Sequence, residues 1–242
     1  PRYAAQDFTL FRRKEPMNSR ASISLLVFDL DGTLIDSRED LAAAVNAVRA
    51  DYGLGALSVA RVSGYVGDGV RKLIERSLPD APAIDIDEAV GRMRRHYKAR
   101  MADRTVLYPG VAEGIAALHD AGYRLALVSN KMADACGALL RHFGLQDRFS
   151  VVLGGDSTKR LKPDPEPLLL AMARTGDLAE DTWMIGDHNT DLEIARRAGA
   201  HSAFVTYGIG NRGAERPEQT FDSFRDVTGF FIARRAAGRG LA

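Results

Sequence analysis

The chain has 242 residues, 45% hydrophobic and 27% charged, enough for one large domain or two small ones around a sizeable core. Its 33 basic and 32 acidic side chains leave a net charge of +1, which argues against a nucleic-acid or anionic-membrane partner. A lone cysteine, Cys136, excludes an intrachain disulfide and points to a reducing, cytoplasmic setting, and no apolar stretch approaches the ~18 residues of a membrane helix.

Residues 1–20 mix charges of both signs, from Arg2 and Asp7 to Arg13 and Glu15, without the apolar run of a secretory signal. They are expected to form a disordered extension, of which 1–16 lie upstream of Met17. The first strand is predicted over 23–28. Segment 37–107 then reads as helix only, with helical apolar spacing over 38–52, 69–78 and 87–101. Strand and helix alternate thereafter: strands over 124–128, 150–153, 182–185 and 202–205, and helices over 132–143, 165–173 and 191–198 between them. Gly144 and Gly199 close the first and last of these helices, and Pro165 opens the second. The expected fold is α/β. A parallel sheet covered on both faces comes from 21–36 and 108–228, with the helical module 37–107 inserted after its first strand. A final docking element is expected near 221–231, and the arginine-rich end, 229–242, as a mobile basic tail.

Polar residues gather where these strands end. Asp29 and Asp31 follow the first strand at i and i+2, so both carboxylates point the same way while the chain stays extended. Adjacent carboxylates repel unless a cation or a shared proton lies between them, and Mg2+ suits carboxylate, phosphate and water oxygens together. An Asp-Gly chain reversal at Asp31-Gly32 is the plain alternative. Ser129 and Asn130 follow the second strand, with a hydroxyl and an amide that can donate to phosphate oxygens. Lys162 precedes a proline-started helix and can neutralise charge on a phosphoryl group. Asp187 and Asp191 follow the strand 182–185; Asp191 can also be read as a helix cap. Each feature alone has an ordinary structural explanation. Their agreement at four strand ends carries the case, since open α/β sheets bind ligands beyond the carboxyl ends of their strands.

On these residues the chain resembles the haloacid dehalogenase superfamily of phosphohydrolases. Asp29-x-Asp31-Gly32-Thr33 is similar to its first motif, Ser129-Asn130 to its second, Lys162 to its third and Gly186-Asp187-x-x-x-Asp191 to its fourth. Within it, Tyr108-Pro109-Gly110, Gly154-Gly155-Asp156 and Lys162-Pro163-Asp164-Pro165 resemble phosphoglycolate phosphatases. The resemblance implies a Rossmann-like core with a small α-helical cap, whose loop Gly67-Asp68-Gly69 reaches over the site. It implies Asp29 as nucleophile, Asp31 as acid and base, and Mg2+ held by Asp29, Asp187 and the Asp31 backbone carbonyl. Ser129, Asn130, Lys162 and Thr33 would hold the phosphoryl oxygens, Lys162 also pairing with Asp29. His188-Asn189-Thr190 departs from the family pattern and leaves the roles of His188 and Asp191 open.

The implied reaction is Mg2+-dependent hydrolysis of a small phosphorylated metabolite, 2-phosphoglycolate in the first place, by a monomer or homodimer. Another small phosphomonoester, a phosphosugar mutase and a non-catalytic binding protein are the alternatives. Asp31 argues against dehalogenation, and Thr33 favours phosphatase over mutase. Gly208-Ile209-Gly210-Asn211-Arg212-Gly213 matches a dinucleotide-binding pattern, but no apolar helix follows it, so a mobile loop near the site is expected instead. The five histidines show no zinc-ligand spacing.

Overall fold

The computed structural model describes residues 24–239, with side chains through Ala237; the extension expected at 1–20 lies outside them. Strand β1 (Leu25–Phe28) opens the chain, followed by the short β2 (Ile35–Asp36). Four helices come next: α1 (Arg38–Asp51), α2 (Val59–Ser63), α3 (Gly69–Ser77) and α4 (Ile86–Arg100). Strand β3 (Val106–Leu107) returns antiparallel to β2, so the helical segment leaves and re-enters through one two-stranded ribbon. Then follow α5 (Val111–Asp120), β4 (Arg124–Val128), α6 (Ala133–His142), β5 (Val151–Leu153) and α7 (Glu166–Thr175). The chain closes with β6 (Thr182–Gly186), α8 (Asn189–Ala198), β7 (His201–Val205), β8 (Gln219–Phe221) and α9 (Phe224–Arg239).

Six strands form one parallel sheet in the order β5-β4-β1-β6-β7-β8. Side chains alternate across it. Leu26 and Phe28 face a core completed by α5, α6 and α9, whereas Leu25 and Val27 face α7 and α8. The chain moves outward from β1 through β4 to β5, then returns to β6 on the other side. Such a reversal opens a crevice at the carboxyl ends of the strands. Phe28 is in register with both Leu127 and Ile185, so Asp29 is level with Val128 and Gly186, and Ser129 and Asp187 follow one residue further on at the same end of the sheet.

The helices α1–α4 bury a separate apolar cluster, including Leu41, Val45, Val48, Ile74, Val90 and Met93. Helix α2 was not expected: five residues are too few to show a period, and its signal is the cap, Ser58 accepting from the Arg61 N–H at 3.3 Å. No helix among the described residues is long and apolar enough to cross a membrane.

The expectation of a mobile tail over 229–242 is corrected for 229–239, and 240–242 lie outside the described residues. Helix α9 continues to Arg239, and Phe224, Val227 and Phe231 are buried at helical spacing against the sheet. Its arginines are not simply solvated either. The Arg235 guanidinium lies 4.8 Å from the Tyr123 ring centre and donates to the Gly122 carbonyl at 2.8 Å, while Arg234 stands 5.3 Å from the Phe230 ring centre.

Candidate active site

The loop after β1 is built to deliver carboxylates. The Asp29 N–H donates to the Ile185 carbonyl at 3.0 Å, keeping Asp29 in line with the sheet. Gly32 turns the chain with φ +87°, and a Cβ there would stand 2.1 Å from an Asp187 oxygen. Only glycine permits both the turn and that approach. Gly186, at the end of β6, is equally constrained: its Cβ would meet Asp191 at 2.1 Å.

Asp29, Asp187 and Asp191 are buried, with one carboxylate oxygen from each within 4.8 Å of the others. Lys162 Nζ is enclosed by Asp29 at 2.8 Å, Asp191 at 2.6 Å and the Val128 carbonyl at 2.9 Å. Burial alone would lower the Lys162 ammonium pKa, but Asp191 and Asp29 outweigh it and hold the group charged. The expected Lys162–Asp29 pair is thus present. Asp191, whose role was open, is its second anchor and also caps α8, accepting the His188 N–H at 3.1 Å.

Asp187 is held by a clasp. Its Oδ1 accepts from the Thr33 hydroxyl at 3.0 Å, and its Oδ2 accepts from the Ile209 and Gly210 N–H groups at 2.9 and 2.7 Å. The glycine-rich stretch therefore wraps a carboxylate rather than a dinucleotide. A Cβ at Gly208 would sit 2.3 Å from the Asp187 side chain, and one at Gly210 would sit 2.6 Å from its carbonyl. Burial, then the charges of Asp29 and Asp191, push the Asp187 pKa up to about 8 despite these donors. Burial likewise raises Asp29, with Lys162 opposing. Three carboxylates answered by one ammonium leave negative charge uncompensated, and every ligand atom on offer is oxygen. That donor set fits a hard divalent cation.

Asp31 lies apart from the cluster. Its carboxylate accepts from Ser37 Oγ at 2.5 Å and from Lys131 Nζ at 2.9 Å on both oxygens. Lys131 was not singled out in the sequence. Its one signal was adjacency to Ser129-Asn130. Its ammonium also stands 4.3 Å from the ring centre of Tyr97 on α4, so it joins the acid to the helical module.

Several expected phosphate donors have other partners. Thr33 donates to Asp187, as above. Asn130 uses its amide on the Gly67 carbonyl at 2.8 Å and the Lys162 carbonyl at 3.1 Å, and accepts the Lys162 N–H at 2.9 Å. It positions Lys162 and ties down the loop above the site. Ser129 accepts the Lys131 N–H at 3.3 Å and lines the cavity. Gly67, with φ +122°, lies over His188, where a Cβ would approach Nε2 to 2.9 Å. Gly69 lines the cavity, whereas Asp68 is turned to Arg76 at 2.5 Å and does not. His188 caps α8 through Nδ1 and supports the loop. Together these elements enclose a cavity of about 90 Å³ onto which Asp29, Asp31, Ser129, Lys131 and Asp187 open.

Comparison with known proteins agrees with this geometry. Residues 26–205 match the sequence profile described as haloacid dehalogenase-like hydrolase. A phosphoglycolate phosphatase from Colwellia psychrerythraea is 36% identical over 214 residues, covering 84% of this chain and 94% of that protein. One from Nitrosospira multiformis is 38% identical over 208 residues, covering 83% and 90%. The crystal structure of a predicted phosphoglycolate phosphatase from Haemophilus somnus superposes with a TM-score of 0.81 at 30% identity, covering 86% of this chain and 97% of that one. With a reversing parallel sheet and a profile match over most of its length, the chain belongs to the haloacid dehalogenase-like hydrolase family.

Proposed function

We propose that this protein is a Mg2+-dependent phosphatase that hydrolyses 2-phosphoglycolate to glycolate and phosphate through an aspartyl-phosphate on Asp29. The observation that carries the reading is the pairing of two differently held carboxylates on one cavity. Asp29 is fixed on one oxygen by Lys162, and Asp31 stands two residues on, outside the carboxylate cluster. Asp29 attacks phosphorus, and the leaving alkoxide takes a proton from Asp31. Asp31 then removes a proton from the water that attacks the aspartyl-phosphate, which restores Asp29 and releases phosphate. Ser129 donates to a phosphoryl oxygen, and Lys162 keeps the nucleophile oriented. Asp29, Asp187 and the Asp31 backbone carbonyl would hold Mg2+, which supplies neutralisation of the charge facing Asp29.

In this reading 21–36 and 108–228 form the catalytic core, and 37–107 form the cap that excludes water other than the attacking one. The cavity volume supports a small ester. Names carried by relatives at 36% and 38% identity support the same substrate. A buried, unpaired Cys136 is consistent with work in the cytoplasm. The test is a panel of phosphorylated metabolites ranked by kcat/KM with Mg2+. The reading expects 2-phosphoglycolate first; a sugar phosphate or nucleotide far ahead of it would overturn the substrate.

A further inference from the structure

The cavity has a second cationic wall that the phosphoryl chemistry does not use. Lys131 lines it with Nζ 2.9 Å from both oxygens of Asp31. Across from it the helical module presents mostly apolar side chains, such as Leu41, Val70 and Met93. Its polar exceptions on α4 are Tyr97 and Arg94. The Tyr97 hydroxyl is buried on the cavity wall beside Lys131, where it can still donate to a ligand oxygen. Arg94 lies one helical turn before Tyr97 and has no ion-pair partner among the described residues, whereas Arg49, Arg71, Arg76 and Arg92 each pair with a carboxylate.

We infer that Lys131, with the Tyr97 hydroxyl and Arg94, forms the subsite for a carboxylate on the carbon next to the ester oxygen of the substrate. The inference rests on the proposed phosphatase reading and adds the residues that select the leaving group. Asp31, as the acid, must touch the leaving oxygen. A carboxylate one carbon away from that oxygen then falls within a few ångströms of Asp31, where Lys131 Nζ already stands. An ammonium at that point serves an anionic leaving group and has nothing to offer a neutral one. Tyr97 and Arg94 come from the helical module, so an anionic leaving group draws core and helices together, while a neutral one meets mostly apolar side chains.

The test uses the full chain with Mg2+ and two esters of similar size, 2-phosphoglycolate and 2-hydroxyethyl phosphate. The readout is the ratio of their kcat/KM values. In Lys131→Met the ratio falls roughly 10- to 150-fold, the worth of one charge-assisted hydrogen bond. In Tyr97→Phe and Arg94→Met it falls several-fold, and Lys131→Arg retains part of the preference. Equal losses on both esters in Lys131→Met would assign Lys131 to Asp31 alone and overturn the subsite. Where Lys131→Met does not fold, unchanged ratios in Tyr97→Phe and Arg94→Met overturn it. The two claims separate in the same data. A wild-type protein that treats both esters alike overturns substrate and subsite together, whereas a wild-type preference that survives in Lys131→Met overturns the subsite only.

Discussion

Asp187 shows how much of this site is made by residues that carry no chemistry of their own. Gly32, Gly208 and Gly210 are there because a Cβ at any of them would collide with Asp187. Gly208→Ala is therefore expected to displace Asp187, lowering activity at least tenfold and weakening activation by Mg2+; wild-type Mg2+ titration of that variant would contradict the clasp. Gly67 works in the same way on the loop above. With φ +122° and His188 beneath it, Gly67→Ala combines backbone strain of about 1–2 kcal/mol with a collision, and should raise KM and lower the melting temperature by a few degrees. Asp29, Asp31 and Asp187 were legible in the sequence because each follows a strand that can be read from its apolar run, and Lys162 because it precedes a helix opened by Pro165. Lys131 was not, because its partners Asp31 and Tyr97 stand 100 and 34 positions away and meet only when the helices dock. Asn130 was read as a phosphate donor from its type, and Thr33 and Asp68 as site residues from the family resemblance, but folding supplies each with a protein partner.

Among elements, the ribbon that joins the helical module to the sheet holds the geometry together. Asp40, at the start of α1, is buried and accepts from the Thr105 N–H at 2.8 Å, the Thr105 hydroxyl at 2.7 Å and the Arg104 N–H at 3.0 Å. One carboxylate thus locks the outgoing and returning connections. Asp40→Ala leaves those donors unsatisfied, at about 1–3 kcal/mol each where they are buried, and should lower the melting temperature by several degrees in a thermal scan. An unchanged melting temperature would show that the ribbon is held elsewhere. Helix α9 was half legible. Its aromatic start signalled docking, but its composition, rich in Arg and Ala, resembles a tail. Stacking of Arg235 on Tyr123 is tertiary and leaves no mark in sequence. Phe231→Ala is expected to cost about 3–5 kcal/mol, since Phe231 is fully buried between Tyr123 and Trp183.

For the whole molecule, charge decides how metal, pH and substrate act together. The Asp187 pKa is raised by burial from the ordinary carboxylate value to about 8. In metal-free protein the folded state therefore keeps a proton that the unfolded chain has lost. The contribution of Asp187 to stability is therefore fully present below about pH 4, declines as pH rises, and is lost above about pH 8. Mg2+ should therefore raise the melting temperature, relative to protein in a chelator, more at pH 8 than at pH 5.5; a shift equal at both values would contradict the account. Beside the catalytic cavity lies a groove of about 540 Å³ lined by Arg94, Arg95, Lys98 and Arg141 against Asp134 and Asp156, so an anionic substrate approaches along a net positive surface. The value of kcat/KM should fall with added salt while kcat holds, and a flat response would remove the steering. The central claim, covalent catalysis by Asp29, is tested most directly by single-turnover phosphate release from Asp29→Asn with 2-phosphoglycolate and Mg2+. The account predicts no release above the uncatalysed rate from a protein that melts like wild type. Measurable release from that variant would contradict it.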